Sequence, residues 1–341
     1  MNMMGVRRFN LGLASSAWLL AACMSPVAAQ DSVEDKREVH QVLKKIQSSA
    51  QKLGYSGIFV YQQASQIRTS RITHLLDGNT ELEKLEILDG QPREYVRKND
   101  EVSCYLPDSK TIQIEKNATQ EVFPALLTSN AQSLPESYSI KKAETGRVAG
   151  IDCQTYLLDP RDAYRYGYRL CVEKNSGLLL RAQTVNTKNE IIEQIAFTQL
   201  AIGDVDKQRV KPTFQNTAQW QVENLTVQSN IHSGWVVKSL PAGFKKIREM
   251  KRLIPASANV KSSDGSTLKA HQVIQMIFSD GLAAISVFIE PDSENRTEGS
   301  LQQGAMTIMG KRHAEYWLTV VGEVPASAIR QVMNSIEFKP K

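Results

Sequence analysis

CQTYLLDPRDAYRYGYRLC, residues 153–171, sets two aspartates, three arginines and four tyrosines between two cysteines. It reads either as the wall of an active site or as a β-hairpin closed by a covalent bond. Its ends are symmetric about residue 162, inside the turn-forming Pro160-Arg161-Asp162. A hairpin centred there sets Cys153 opposite Cys171, Thr155 opposite Arg169 and Leu157 opposite Gly167, with the charged residues at a solvated tip. Opposed cysteines bring their Cβ atoms within disulfide range, so the staple is the preferred reading. Cys104–Cys153 is the alternative bridge, because Cys104, Cys153 and Cys171 leave one thiol over whichever pair forms. Under the preferred pairing, Cys104 is free and packs as a small, buried apolar residue.

A disulfide persists in an oxidising compartment, and the N-terminus points to export. MNMMGVRRFNLGLASSAWLLAACMSPVAAQ opens the chain. Arg7 and Arg8 form a short basic region, Leu11 to Ala22 is apolar but too short to span a bilayer, and Val27-Ala28-Ala29 is a small-residue cleavage motif. The expectation is a signal peptide over residues 1–29, cut after Ala29. Leu20-Ala21-Ala22-Cys23 is a rival, since it also fits the pattern before a lipidated cysteine. No later segment is apolar for long enough to cross a membrane.

Charge narrows the partners. The chain carries 41 basic and 36 acidic residues, a net +5; losing Arg7 and Arg8 with the leader lowers this by two, to +3. That balance does not suggest a nucleic-acid binder. From Ser229 onward, 14 basic residues face 10 acidic ones, and Lys245, Lys246, Arg248, Lys251 and Arg252 cluster in GFKKIREMKRL. The cluster is either a solvated helix or loop face, or a docking surface for an anionic partner.

The pattern divides into two domains, 30–204 and 229–341, joined by the polar linker 205–228. Val39, Val42, Leu43, Ile46, Ala50 and Leu53 recur at helical spacing before Gly54, which predicts an amphipathic helix over about residues 33–53. Strands follow, beginning with YSGIFVYQQ (55–63). Asp-Gly pairs at 77–78, 89–90, 264–265 and 280–281 are hairpin signals and favour antiparallel sheet over βαβ units. A short helix is expected at TQEVFPALLTSN (119–130), with Val122, Phe123, Leu126 and Leu127 on one side. A last helix starts at Pro325-Ala326-Ser327, with Ile329, Val332, Met333 and Ile336 inward. The class is α+β: an N-terminal antiparallel sheet curling into a half-open barrel covered by helices, then a smaller C-terminal antiparallel sheet with a packed helix.

Catalytic constellations are missing. There is no G-x-S-x-G elbow, phosphate loop, H-E-x-x-H or C-x-x-C, and the five histidines show no metal-ligand spacing. No catalytic residue, metal or cofactor is assigned. Binding fits better. A half-open barrel would present an apolar concavity lined by residues such as Ile58, Val60, Ile72 and Leu75; the same pattern fits an ordinary filled core.

GYSGIFVYQ (54–62), SRITHLLDG (70–78), LDGQPREYVR (88–97), SCYLPD (103–108), PRDAYRYGYRL (160–170), WVVKSLPAGF (235–244) and FSDGLAAISVFIEP (278–291), taken in order, resemble the MucB/RseB family of periplasmic sigma-factor regulators. The resemblance implies an N-terminal domain similar to the lipoprotein carriers LolA and LolB. It implies a non-enzymatic periplasmic protein that binds the periplasmic part of a membrane-spanning anti-sigma factor and shields it from the site-1 protease. Lipopolysaccharide or a related amphiphile would release it, and the oligomeric state, monomer or homo-oligomer, is left open. It supplies no catalytic residues. A lipid or lipoprotein carrier is the alternative, and an exported hydrolase a more distant one.

Overall fold

The computed structural model describes residues 28–116, 123–128, 131–225, 227–229, 231–254, 257–261, 267–268, 271–292 and 296–339. The expected leader, with Cys23, lies outside them except for Ala28 and Ala29, which open the first helix. So do Asp264-Gly265 and, at the expected short helix, residues 119–122 and 129–130.

Twelve strands build the first sheet: β1 (Tyr55–Gln63), β2 (Gln66–Asp77), β3 (Thr80–Ile87), β4 (Arg93–Lys98), β5 (Glu101–Leu106), β6 (Thr111–Glu115), β7 (Tyr138–Val148), β8 (Ile151–Pro160), β9 (Gly167–Glu173), β10 (Leu179–Val185), β11 (Ile191–Ile202) and β12 (Gln221–Leu225). They run in the order β12-β6-β5-β4-β3-β2-β1-β11-β10-β9-β8-β7. Neighbours are antiparallel throughout, except that β12 lies parallel to β6; within β1–β6 and β7–β11 consecutive strands pair as hairpins, and the β1–β11 pair joins the two runs. The remaining strands are β13 (Val227–Ser229), β14 (Trp235–Val237), β15 (Lys245–Ile254), β16 (Ser257–Lys261), β17 (Thr267–Leu268), β18 (His271–Ser279), β19 (Ala284–Pro291), β20 (Gly299–Gln303), β21 (Met306–His313), β22 (Tyr316–Gly322) and β23 (Ile336–Phe338). Seven of these form the second sheet, β13-β15-β18-β19-β22-β21-β20.

Helix α1 (Ala28–Lys52) begins earlier than the periodicity indicated. Leu43, Ile46 and Ala50 recur at helical spacing and are essentially fully buried against one face of the large sheet. That face carries Tyr55, Phe59, Ile72, Leu170 and Phe197. Phe123, Leu127 and Leu134, from the chain between β6 and β7, fill the remaining space, with the Phe123 ring 4.9 Å from Phe197 and 5.3 Å from Phe59. Each such side chain contributes roughly 1.5–3 kcal/mol when buried. Residues 123–128 are irregular, not helical; the expected short helix gives way to α2 (Leu134–Ser137), further along the chain. Phe123 and Leu127 are inward nonetheless, because apolar burial does not require helical spacing.

The second sheet packs one face on α3 (Ala326–Met333), whose Ala328, Ile329, Val332 and Met333 are buried. Ile336 is inward too, but from β23. The polar stretch 205–228 is not a free tether. Its 3₁₀ turn Lys207–Val210 packs near β2 and β3, Thr213 N–H donates to Glu94 at 2.9 Å, and β12 extends the large sheet. Phe214 and Trp220 sit against Tyr105, with ring centroids 6.3 and 6.4 Å away.

Candidate functional site

The opening hairpin is present, but its register is shifted. β8 and β9 pair Thr155 with Cys171 and Cys153 with Glu173, so the ladder is centred on residue 163 and not 162. The turn is the cause. Asp162 accepts the Tyr164 N–H at 2.9 Å and the Arg165 guanidinium at 3.0 Å, and these bonds order a six-residue connection, 161–166. Cys153 and Cys171 still bond, diagonally across the ladder, with Cα atoms 5.5 Å apart. A Cβ on Gly146 of β7 would meet Cys171 Sγ at 3.4 Å, so the staple lies flush against the neighbouring strand. Cys104 is free, as expected, but only half-buried.

The charged tip is solvated only in part: Asp159 and Arg161 are exposed, but Arg165 is buried. Arg165 and Asp280 are each about 1 % exposed, and Arg165 Nη1 donates to Asp280 Oδ2 at 2.6 Å. Asp280 comes from the β18–β19 turn of the second sheet, so two hairpin tips meet and close a seam between the sheets. Tyr138 OH donates to the same oxygen at 3.2 Å, while Oδ1 accepts the backbone N–H groups of Leu282 and Ala283 at 3.0 and 2.9 Å. Burial raises the Asp280 pKa above the ordinary carboxylate value, against the pull of those amides and of Arg165. Arg165 also donates to the Ala242 carbonyl and packs over the Tyr138 and Phe244 rings at 5.5 and 5.3 Å. Gly243 is required there: its φ is +82°, and a Cβ would lie 2.4 Å from Ser137 Oγ.

Further bonds extend the seam. Thr128 N–H donates to Gly281 O at 3.0 Å, Gln302 to Tyr166 OH at 3.0 Å, Gln63 to Gln303 O at 3.0 Å and Ser327 to Ala163 O at 2.9 Å. Beside it lies an open cleft of about 840 Å³, with Arg161, Arg165, Arg169, Asp159 and Asp162 among its walls. One signal for this seam lies in the sequence. The β18–β19 turn, SDGLAA, is flanked by Leu282 and Ala283 where a solvated hairpin tip would be polar.

The basic cluster is neither a helix nor a loop face but strand β15, where a bulge between Lys246 and Arg248 and the partners each residue meets divide it. Arg248 is 8 % exposed and donates to Ser229 Oγ at 2.9 Å. Arg252 grips Glu115 of the large sheet through two bonds, at 3.0 and 3.2 Å. Lys246 pairs with the buried Glu249 at 2.7 Å. Lys245 is exposed and Lys251 half-buried.

The four residues expected to line one concavity are split by the register. Gly57 pairs with Ile72, so Ile72 shares the face of Tyr55 and Phe59 and sits in the filled core. Ile58 pairs with Arg71 and Val60 with Thr69, which puts both on the opposite face, together with Leu75. Strand period decides this: even positions of β1 match odd positions of β2. Among the described residues no group of three or more His, Cys, Asp or Glu side chains could hold a metal. No helix among them is long and apolar enough to cross a membrane.

Two largely antiparallel sheets joined at a buried charged seam, with an open cleft beside it, define a two-domain protein. The chain belongs to the MucB/RseB family: residues 38–214 match the MucB/RseB N-terminal domain and 229–337 the MucB/RseB C-terminal domain. The sigma-E factor regulatory protein RseB of Haemophilus influenzae is 24% identical over 333 residues, covering 95% of this chain and 98% of that protein. The sigma factor AlgU regulatory protein MucB of Pseudomonas aeruginosa is 27% identical over 301 residues, covering 86% and 89%. Among solved structures, the MucA/MucB complex of Pseudomonas aeruginosa aligns with a TM-score of 0.66 at 25% identity, over 89% of this chain and all of that one. Both relatives are sigma-factor regulatory proteins.

Proposed function

We propose that this chain is a periplasmic negative regulator of an envelope-stress sigma factor. It binds the periplasmic part of a transmembrane anti-sigma factor, shields it from the site-1 protease, and releases it when lipopolysaccharide or a related amphiphile binds. The observation that carries this reading is the likeness, along both domains, to MucB solved in complex with the periplasmic part of MucA. The Cys153–Cys171 bond supports an oxidising compartment, and with it export through a leader over residues 1–29.

In this reading residues 30–204 form the amphiphile-sensing domain, a half-open barrel whose inner face is covered by α1 and the chain between β6 and β7. Residues 229–341 form the smaller regulatory domain. An acyl chain entering beneath the cover gains about 0.8 kcal/mol per buried CH₂, so a few carbons supply the few kcal/mol typical of allosteric coupling. Affinity pull-down from an envelope fraction tests the reading. A regulator retains an inner-membrane anti-sigma factor, and amphiphile elutes it. Stoichiometric lipid with no such protein would support a carrier instead.

A further inference from the structure

The last turn of α1 ends on a buried histidine. His74 of β2 is fully buried, and its ring stacks on Tyr55 with centroids 5.0 Å apart. Nδ1 lies 2.8 Å from the Leu53 carbonyl oxygen, and Nε2 lies 3.1 Å from Glu81 Oε1 on β3. A carbonyl and an ionised carboxylate only accept hydrogen bonds, whereas a neutral imidazole carries a single N–H. Neutral His74 would therefore leave one ring nitrogen facing an acceptor with no proton between them. The contact needs one proton more than a neutral histidine and an ionised glutamate hold together. Glu81 keeps 23% of its side chain exposed, so water solvates its carboxylate and the proton rests on the ring.

The surroundings support that charge. Glu83 pairs with His74 across the ladder, and Arg97 pairs with Glu83 on the next strand, 3.8 Å from its carboxylate. Tyr55 OH donates to the Ala50 carbonyl of α1 at 3.1 Å. Lys52 and Asp100 line the open cleft that Glu81 and Arg97 share. Burial pulls the His74 pKa down, but the bonds to Glu81 and Leu53 and the field of Glu83 outweigh it, and the pKa is raised above 6.5.

We infer that His74 is held as an imidazolium and acts as a proton-dependent clasp, fastening the C-terminal turn of α1 to β2 and β3. The clasp is independent of what the sheet binds, but α1 covers the inner face, so it sets how firmly that cover is held. With the folded pKa above the unfolded one, its stabilisation is complete below about 6.5 and is lost as pH rises through the folded value.

The test uses the full mature chain. Imidazole nitrogen–proton correlation spectra across about pH 5 to 9 report the charge state of His74. Hydrogen exchange of the Leu53 amide, which donates to Ser49 O, reports the helix end after correction for intrinsic rates. Both ring nitrogens should be protonated at neutral pH. Leu53 protection should fall through the same midpoint, by about tenfold for each unit between folded and unfolded pKa. Glu81→Gln, whose carboxamide can donate to a neutral ring, should lower the His74 pKa and abolish that dependence. A singly protonated ring at neutral pH, or Leu53 protection unchanged through the titration, would overturn the proposal from wild-type data alone.

Discussion

Arg165 carries its charge into a position with almost no exposure, and every partner it finds there is accounted for. A buried ion pair is costly to break on one side, because the survivor is left charged and dry. Arg165→Ala should therefore lower stability by roughly 3–5 kcal/mol in urea unfolding of the full chain. The paired replacement Arg165→Met with Asp280→Asn, which removes both charges yet keeps an oxygen to accept the Leu282 and Ala283 amides, should recover part of that loss, and a double mutant no better than the single would contradict this account of the seam. The staple is a separate contribution. Replacing Cys153 and Cys171 together by alanine should cost roughly 2–4 kcal/mol, since the bond closes a loop of 18 residues in the unfolded chain. Residue types made both features readable in part. The disulfide could be read from spacing and the compartment, whereas Arg165 looked like a solvated tip because its partner lies 115 positions away.

Strands explain where the element-scale reading held and where it slipped. Hairpins such as β2–β3 and β18–β19 fall where Asp-Gly pairs mark them, because a turn is a local event. Which face a residue takes is not local: it depends on the partner strand's register, and Ile58, Val60, Ile72 and Leu75 were split for that reason. β15 has the same lesson for charge. A bulge between Lys246 and Arg248 breaks the alternation of β15, and contacts with other strands decide the rest: Arg248 is held by Ser229 and Arg252 by Glu115, leaving Lys245 and Lys251 as the cations to test for docking. We expect Lys245→Glu with Lys251→Glu to slow association with an anionic partner segment at low salt, leave dissociation and the unfolding midpoint close to wild type, and flatten the salt dependence. Stopped-flow association at two ionic strengths measures it; an unchanged rate at both would remove β15 from the partner surface. Arg252→Glu should instead destabilise the fold, by placing a carboxylate against Glu115.

Across the whole molecule, the two-sheet division and the polar stretch between them were legible from composition. The seam that locks the sheets together and the strap that 205–225 lays on the first were not, because both depend on contacts between distant segments. A molecule locked in this way offers a partner one surface spanning both sheets, so isolated domains should bind the anti-sigma segment more weakly than the intact chain. The most direct measurement is a titration of the full mature chain with the labelled periplasmic segment of the anti-sigma factor, followed by fluorescence anisotropy with and without lipopolysaccharide. The account predicts saturable binding that lipopolysaccharide reverses in a dose-dependent way, with the site-1 protease cutting the segment only after its release. No binding, or binding and protection that lipopolysaccharide leaves unchanged, would contradict it.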